Sequence, residues 1–188
     1  MTLVSTFELL FKPQLPKSII DRAPIAAVPA LKSITRNILQ GYFLSIANLT
    51  DQLVNLTVVF TIKSLTNLKD SDLKSTLDST GVNGPVSLKK FEEDDDIKKF
   101  YFEFPINKKD TGLFILQANV LDPAIFQALN FEERGYVEIF ISDNSPSTKL
   151  LITAEHRGTF FGDTEAEAGE VAYALPLASG KSLFELSK

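Results

Sequence analysis

The chain has 188 residues and a formal net charge of −5, with one histidine, no cysteine, no tryptophan and fifteen phenylalanines. Lacking cysteine, it has no disulfides, thiol nucleophiles or cysteine-ligated metal centres; its dispersed basic residues on a net acidic chain argue against nucleic-acid binding. A chain of this length buries roughly 70% of the surface its unfolded form exposes, enough for a core that needs no staple.

Alternation of apolar and polar residues begins at once, with Phe7, Leu9 and Phe11 marking a first strand. The opening residues carry no basic n-region, and Glu8 interrupts their apolar run. No signal peptide is therefore expected, and cytoplasmic is the expected location. No apolar stretch approaches the ~20 residues a membrane helix needs, so no membrane insertion is expected. The segment Pro13–Pro29 carries four prolines and is expected to run extended over the surface or along a sheet edge.

Strands are expected over Gln40–Asn48 and Asn55–Lys63, the second with Leu56, Val58, Phe60 and Ile62 on one face. The stretch Ser64–Ile97 is polar and charged and reads as an insertion at one end of the fold, with short strands near Ser75–Ser79 and Val86–Phe91. Alternation resumes at Phe100, Phe102 and Phe104, and again at Phe114, Leu116, Ala118 and Val120. Asp122 can cap a short helix through Leu129, with Pro123 suited to its first position. Val137, Ile139 and Ile141 form the next apolar face, then Leu150, Ile152 and Ala154, and a late strand covers Val171–Leu177.

One-sided strands joined by short turns imply antiparallel pairing. The expected fold is all-β, a two-sheet antiparallel β-sandwich with at most one or two short helices, in a single domain spanning residues 1–188. The pair Gly41–Asn48 and Leu56–Ile62 resembles the early hairpin of bacterial immunoglobulin-like sandwiches. Arg134-Gly135-Tyr136 resembles the entry to a later strand of that fold, and the resemblance implies a tyrosine corner, its hydroxyl bonded back to the preceding backbone. A superfold of this kind implies no particular activity.

Residues able to carry chemistry are few. His156, flanked by Glu155 and Arg157, falls on the inward side of its strand. A general base there would make these three a weak hydrolase centre, although no Gly-x-Ser-x-Gly elbow accompanies it. The plainer reading is a structural histidine bonded to a loop carbonyl. The run Glu92-Glu93-Asp94-Asp95-Asp96 offers oxygen ligands for calcium, with Asp94, Asp95 and Asp96 as candidates. It lacks the alternate spacing and glycine of an EF-hand, and contiguous carboxylates usually face solvent. A second acidic stretch comprises Asp163, Glu165, Glu167 and Glu170. Ser179-Gly180-Lys181-Ser182 has no upstream glycine for a phosphate loop. Asn48-Leu-Thr50 and Asn55-Leu-Thr57 match the glycosylation sequon but read as turn and strand.

Val59, Ile115, Phe140 and Leu151 sit on the nominally polar side of their strands. If they share one sheet face, that face is too apolar to stay bare, and either the flanking segments or a partner covers it. The expected function is thus a soluble, non-enzymatic module for protein–protein interaction or self-association, with no cofactor. A calcium-dependent or carbohydrate-binding sandwich using the 92–96 loop is the alternative, and a hydrolase around Glu155, His156 and Arg157 the third reading.

Overall fold

The computed structural model describes residues 1–15, 17–64, 68–142, 145–162 and 169–187. Among these residues twelve strands run in chain order: β1 (Thr2–Pro13), β2 (Asn37–Asn48), β3 (Val54–Lys63), β4 (Leu73–Ser79), β5 (Val82–Pro85), β6 (Leu88–Asp94), β7 (Ile97–Ile106), β8 (Thr111–Ala118), β9 (Phe131–Ile141), β10 (Thr148–Phe161), β11 (Gly169–Ala174) and β12 (Leu183–Leu186). Three short helices interrupt them: α1 (Lys17–Arg22), α2 (Val28–Ile34) and α3 (Pro123–Ala128). Pairing is antiparallel throughout the described ladders.

The expected two separate sheets are replaced by one curled sheet. Its hydrogen-bonded path runs β5-β4-β8-β2-β1-β9-β3-β7-β6, with β10 along the other edge of β2 and β11 and β12 beyond β10. The reason lies in β2. One of its edges pairs with β10 from Asn37 to Asn48. Its other edge is shared: residues 37–40 pair with β1, and residues 42–47 pair with β8. Two wings therefore leave the same edge and curl over each other. Gly41 marks the fork, where an added Cβ would lie 3.1 Å from the Leu116 carbonyl oxygen and 3.2 Å from the Gln117 Cβ.

Between the wings lies the phenylalanine core. Phe60 of β3 meets Phe7, Tyr42 and Phe102 edge-on and stacks on Phe114 of the opposite wing, while Phe104 also stacks on Phe114. Leu56, Val58, Phe60 and Ile62 are fully buried, and so are Val137, Ile139, Leu150 and Ile152. Rings at these separations add to the burial of their area, so the inward faces read from the alternation are the faces that hold the fold.

Three segments differ from expectation. Within 13–29 the described residues past β1 do not run extended: Pro13 ends β1, α1 covers Lys17–Arg22, Pro24 precedes a 3₁₀ turn over Ile25–Ala27, and Pro29 lies in the first turn of α2. A proline there loses no intrahelical bond, so it starts helices as readily as it breaks strands. The polar stretch 64–97 is woven into the sheet, supplying β4 and β5 at one end and β6 at the other. Tyr136 is 40% exposed in the middle of β9 and forms no corner; its neighbour Gly135 is required because a Cβ would lie 1.9 Å from the Thr61 carbonyl oxygen. The helix expected at Asp122 is present, with the Asp122 carboxylate accepting from the Ala124 N–H at 2.8 Å and Leu129 closing it in the left-handed region.

Candidate functional site

The lone histidine sits at the fork. His156 of β10 lies in register between Tyr42 of β2 and Tyr173 of β11 and is 5% exposed. Beyond Leu10, β1 has left the β2 ladder, so the Glu8 N–H has lost its strand partner. It donates instead to His156 Nε2 at 2.9 Å. Because Nε2 accepts, the neutral ring carries its proton on Nδ1, which donates to the Tyr173 hydroxyl at 2.9 Å. Nearby, Gln40 Nε2 reaches the Glu8 carboxylate at 3.1 Å, Arg134 Nε donates to the same carboxylate at 2.6 Å, and the Ser5 and Tyr42 hydroxyls bond at 2.8 Å. Side chains thus replace ladder bonds where two strands part, as buried backbone groups require.

Burial lowers the His156 pKa from the ordinary value of 6.5, and the Glu8 carboxylate opposes the shift without overcoming it. Burial likewise raises the Tyr42 hydroxyl, with the Ser5 bond acting the other way. The signal for this network was present in the chain: Gln40, Tyr42 and His156 are polar residues at inward parity. Glu8, Arg134 and Tyr173 carry no such mark, and only the fork brings them in.

Glu155 and Arg157 do not join His156. Successive strand residues point to opposite faces, so the two flanking side chains turn outward and pair with each other at 2.9 Å. The proposed trio is divided by the sheet itself. On the outer face Arg157 lies 4.8 Å from the centre of the Phe43 ring, a cation–π contact. It lines an open depression of about 370 Å³ over Gly41, with Phe43, Gln117, Thr159 and Glu170. His156 is not among the lining residues.

The acidic run forms the β6–β7 hairpin, and its carboxylates diverge. Glu92 pairs with Lys90 and accepts from the Tyr101 hydroxyl at 2.6 Å. Glu93 pairs with the buried Lys98 at 3.2 Å, and Asp96 with Lys63 at 3.0 Å. Asp94 ends β6, and Asp95 occupies the left-handed turn position with φ 53°. The pairing with Lys90 and Tyr101 holds the Glu92 carboxyl below its usual range, and the Tyr101 hydroxyl is pushed up to about 12, chiefly by burial. Among the described residues no three acidic or histidine side chains gather as a cation site. Asp163, Glu165 and Glu167 lie outside the described residues.

The four outward apolar residues fall into two groups. Val59 is 1% exposed: β3 is central, and Val59 sits in register between Tyr101 of β7 and Glu138 of β9. It is therefore withdrawn from any surface. Phe140, half-buried, lies beside Thr57 on the same wing. Ile115 lies on β8 of the other wing, and Leu151 on β10 along the opposite edge of β2. There Leu151, 46% exposed, pairs with Leu183, 48% exposed, and with Ala47; Phe43 pairs with half-buried Ile115.

No helix among the described residues is long and apolar enough to cross a membrane. No protein-family model matches the chain, and no curated protein matches it. One similar solved structure is AvmM, which catalyses macrocyclization in alchivemycin A biosynthesis. It is 5% identical over 92% of this chain and 88% of that chain, at a TM-score of 0.28, a level that bears on neither fold nor activity.

Proposed function

We propose that the protein is a non-enzymatic β module that holds a protein partner on the outer face of β8, β2, β10 and β12. The observation that carries this reading is the apolar side chains on that face: Leu183, Leu151 and Ala47 in one row, and Phe43 and Ile115 in a row four residues further along, with Leu113 between them beside Ser45 and Thr153. Leucines nearly half exposed on adjacent strands form a patch of the sort that partners cover. Arg157 over Phe43 adds a cation–aromatic rim, a composition typical of contact surfaces. The engagement of both His156 nitrogens within the fold supports a role without general base catalysis.

The test is retention from native lysate at mild salt on immobilised protein, comparing the native chain with Leu151→Glu. A protein retained by the first and lost from the second is expected. Identical retention by both would remove this face from the reading.

A further inference from the structure

A sheet edge presents unpaired N–H and C=O groups, and proteins ordinarily blunt it with charge, proline or brevity. Three edges here are blunted. β6 carries Lys89, Lys90, Glu92, Glu93 and Asp94; β5 has four residues and ends at Pro85; β12 has four and is tied by the Lys149–Glu185 pair at 2.8 Å. β11 differs. It has six residues, Gly169–Ala174, with one charge, no proline and an unbroken register on β10.

The direction of its backbone follows from one bond. The Leu175 N–H donates to the Ala154 carbonyl at 2.8 Å, so odd-numbered residues face β10 in the alternating antiparallel pattern. Glu170, Ala172 and Ala174 then turn their N–H and C=O groups to the side on which no described strand lies. Both side-chain faces are open as well: Val171 is 37% and Tyr173 45% exposed, and Glu170, Ala172 and Ala174 are exposed.

We propose that this edge pairs with the same edge of a second copy of the chain, forming a two-fold dimer centred on Ala172. The sequence is self-complementary in that register. Ala172 faces its own copy, Glu170 faces Ala174 and Val171 faces Tyr173. No like charges oppose one another, and the valine–tyrosine pairs are of the β-branched and aromatic kind that stabilise cross-strand contacts. All outward backbone groups of Glu170, Ala172 and Ala174 find partners. The inference goes beyond the partner face around Leu151 and does not depend on it.

Sedimentation over a rising concentration series tests it. The native chain is expected to pass from monomer to twice that mass. Ala172→Pro removes an N–H that β10 does not use, a place where an edge strand tolerates proline, and is expected to stay monomeric with its melting temperature kept. Ala172→Lys and Ala172→Glu place like charges opposite each other and are each expected to weaken the dimer about fivefold; an equimolar mixture is expected to regain it. A native chain monomeric at every concentration overturns the proposal, as does a dimer that survives Ala172→Pro. If the proline variant does not fold, the mixture decides: no gain over the separate variants is equally fatal. Leu151→Glu is expected to leave the dimer intact, which separates this result from failure of the partner face.

Discussion

β3 lies between β7 and β9 and is buried on both faces, whereas β11 has β10 as its one neighbour among the described strands and is exposed on both. Both strands carry an alternation of small and larger side chains. The difference is made by neighbours. Thr57 sits between Glu103 and Phe140, Val59 between Tyr101 and Glu138, and Thr61 between Lys99 and Tyr136, so larger side chains roof the short ones from either side. The Ser142 hydroxyl donates to Glu103 at 2.6 Å and lies 3.3 Å from the Thr57 hydroxyl, tying part of that roof together. On β11 no described strand stands on the outer side. Outward parity alone therefore does not mark a surface residue; the size and number of the neighbouring side chains decide.

The largest expected effect breaks this comparison at its buried end. Phe60→Ala removes a ring that touches Phe7, Tyr42, Phe102 and Phe114, and is expected to cost about 3–5 kcal/mol in a denaturant titration. A cost near zero would mean that β3 is not the centre of the core.

A smaller effect is expected where the two regions meet. His156→Ala leaves the buried Glu8 N–H without its acceptor, at about 1–3 kcal/mol. The same residue gives the protein a pH dependence. With its folded pKa below the ordinary 6.5, the unfolded chain takes up the proton first. Stability is thus expected to fall as the pH drops through 6.5 towards the depressed folded value, with no further loss from this group below it. The groups facing the ring are Glu8 of β1, held by Arg134 of β9, with Tyr42 of β2 and Tyr173 of β11. Melting curves between pH 7 and 5 should show this component in the native chain and not in His156→Ala; equal slopes would contradict the assignment.

The smallest effect belongs to the open end. Val171→Ala on β11 is expected to change monomer stability by less than about 0.5 kcal/mol, read at a concentration too low for pairing. A loss as large as that of Phe60→Ala would show that β11 is part of the core after all.

Much of the inward pattern was legible because strand parity depends only on the sequence of side chains. Phe100, Phe102 and Phe104 are buried as their alternation implies, and Asp122-Pro123 starts a helix by local chemistry alone. The edge strands were harder. β6 reads as a charged insertion because an edge is kept charged to stay unpaired, and β12 is four residues long. Of the candidate site, His156 at inward parity was visible, but its partners were not. Glu8 lies 148 positions away, and its N–H needs an acceptor only because β1 leaves β2 at Gly41.

The sequence by itself determined an antiparallel all-β chain and its inward faces, because these follow from period-two geometry along one strand. Tertiary structure decided that the strands form one curled sheet, that Val59 is buried while Leu151 is not, and that β11 has an edge no described strand pairs with. Those outcomes depend on which strands become neighbours, and the shared edge of β2 sets that through contacts between residues far apart in the chain.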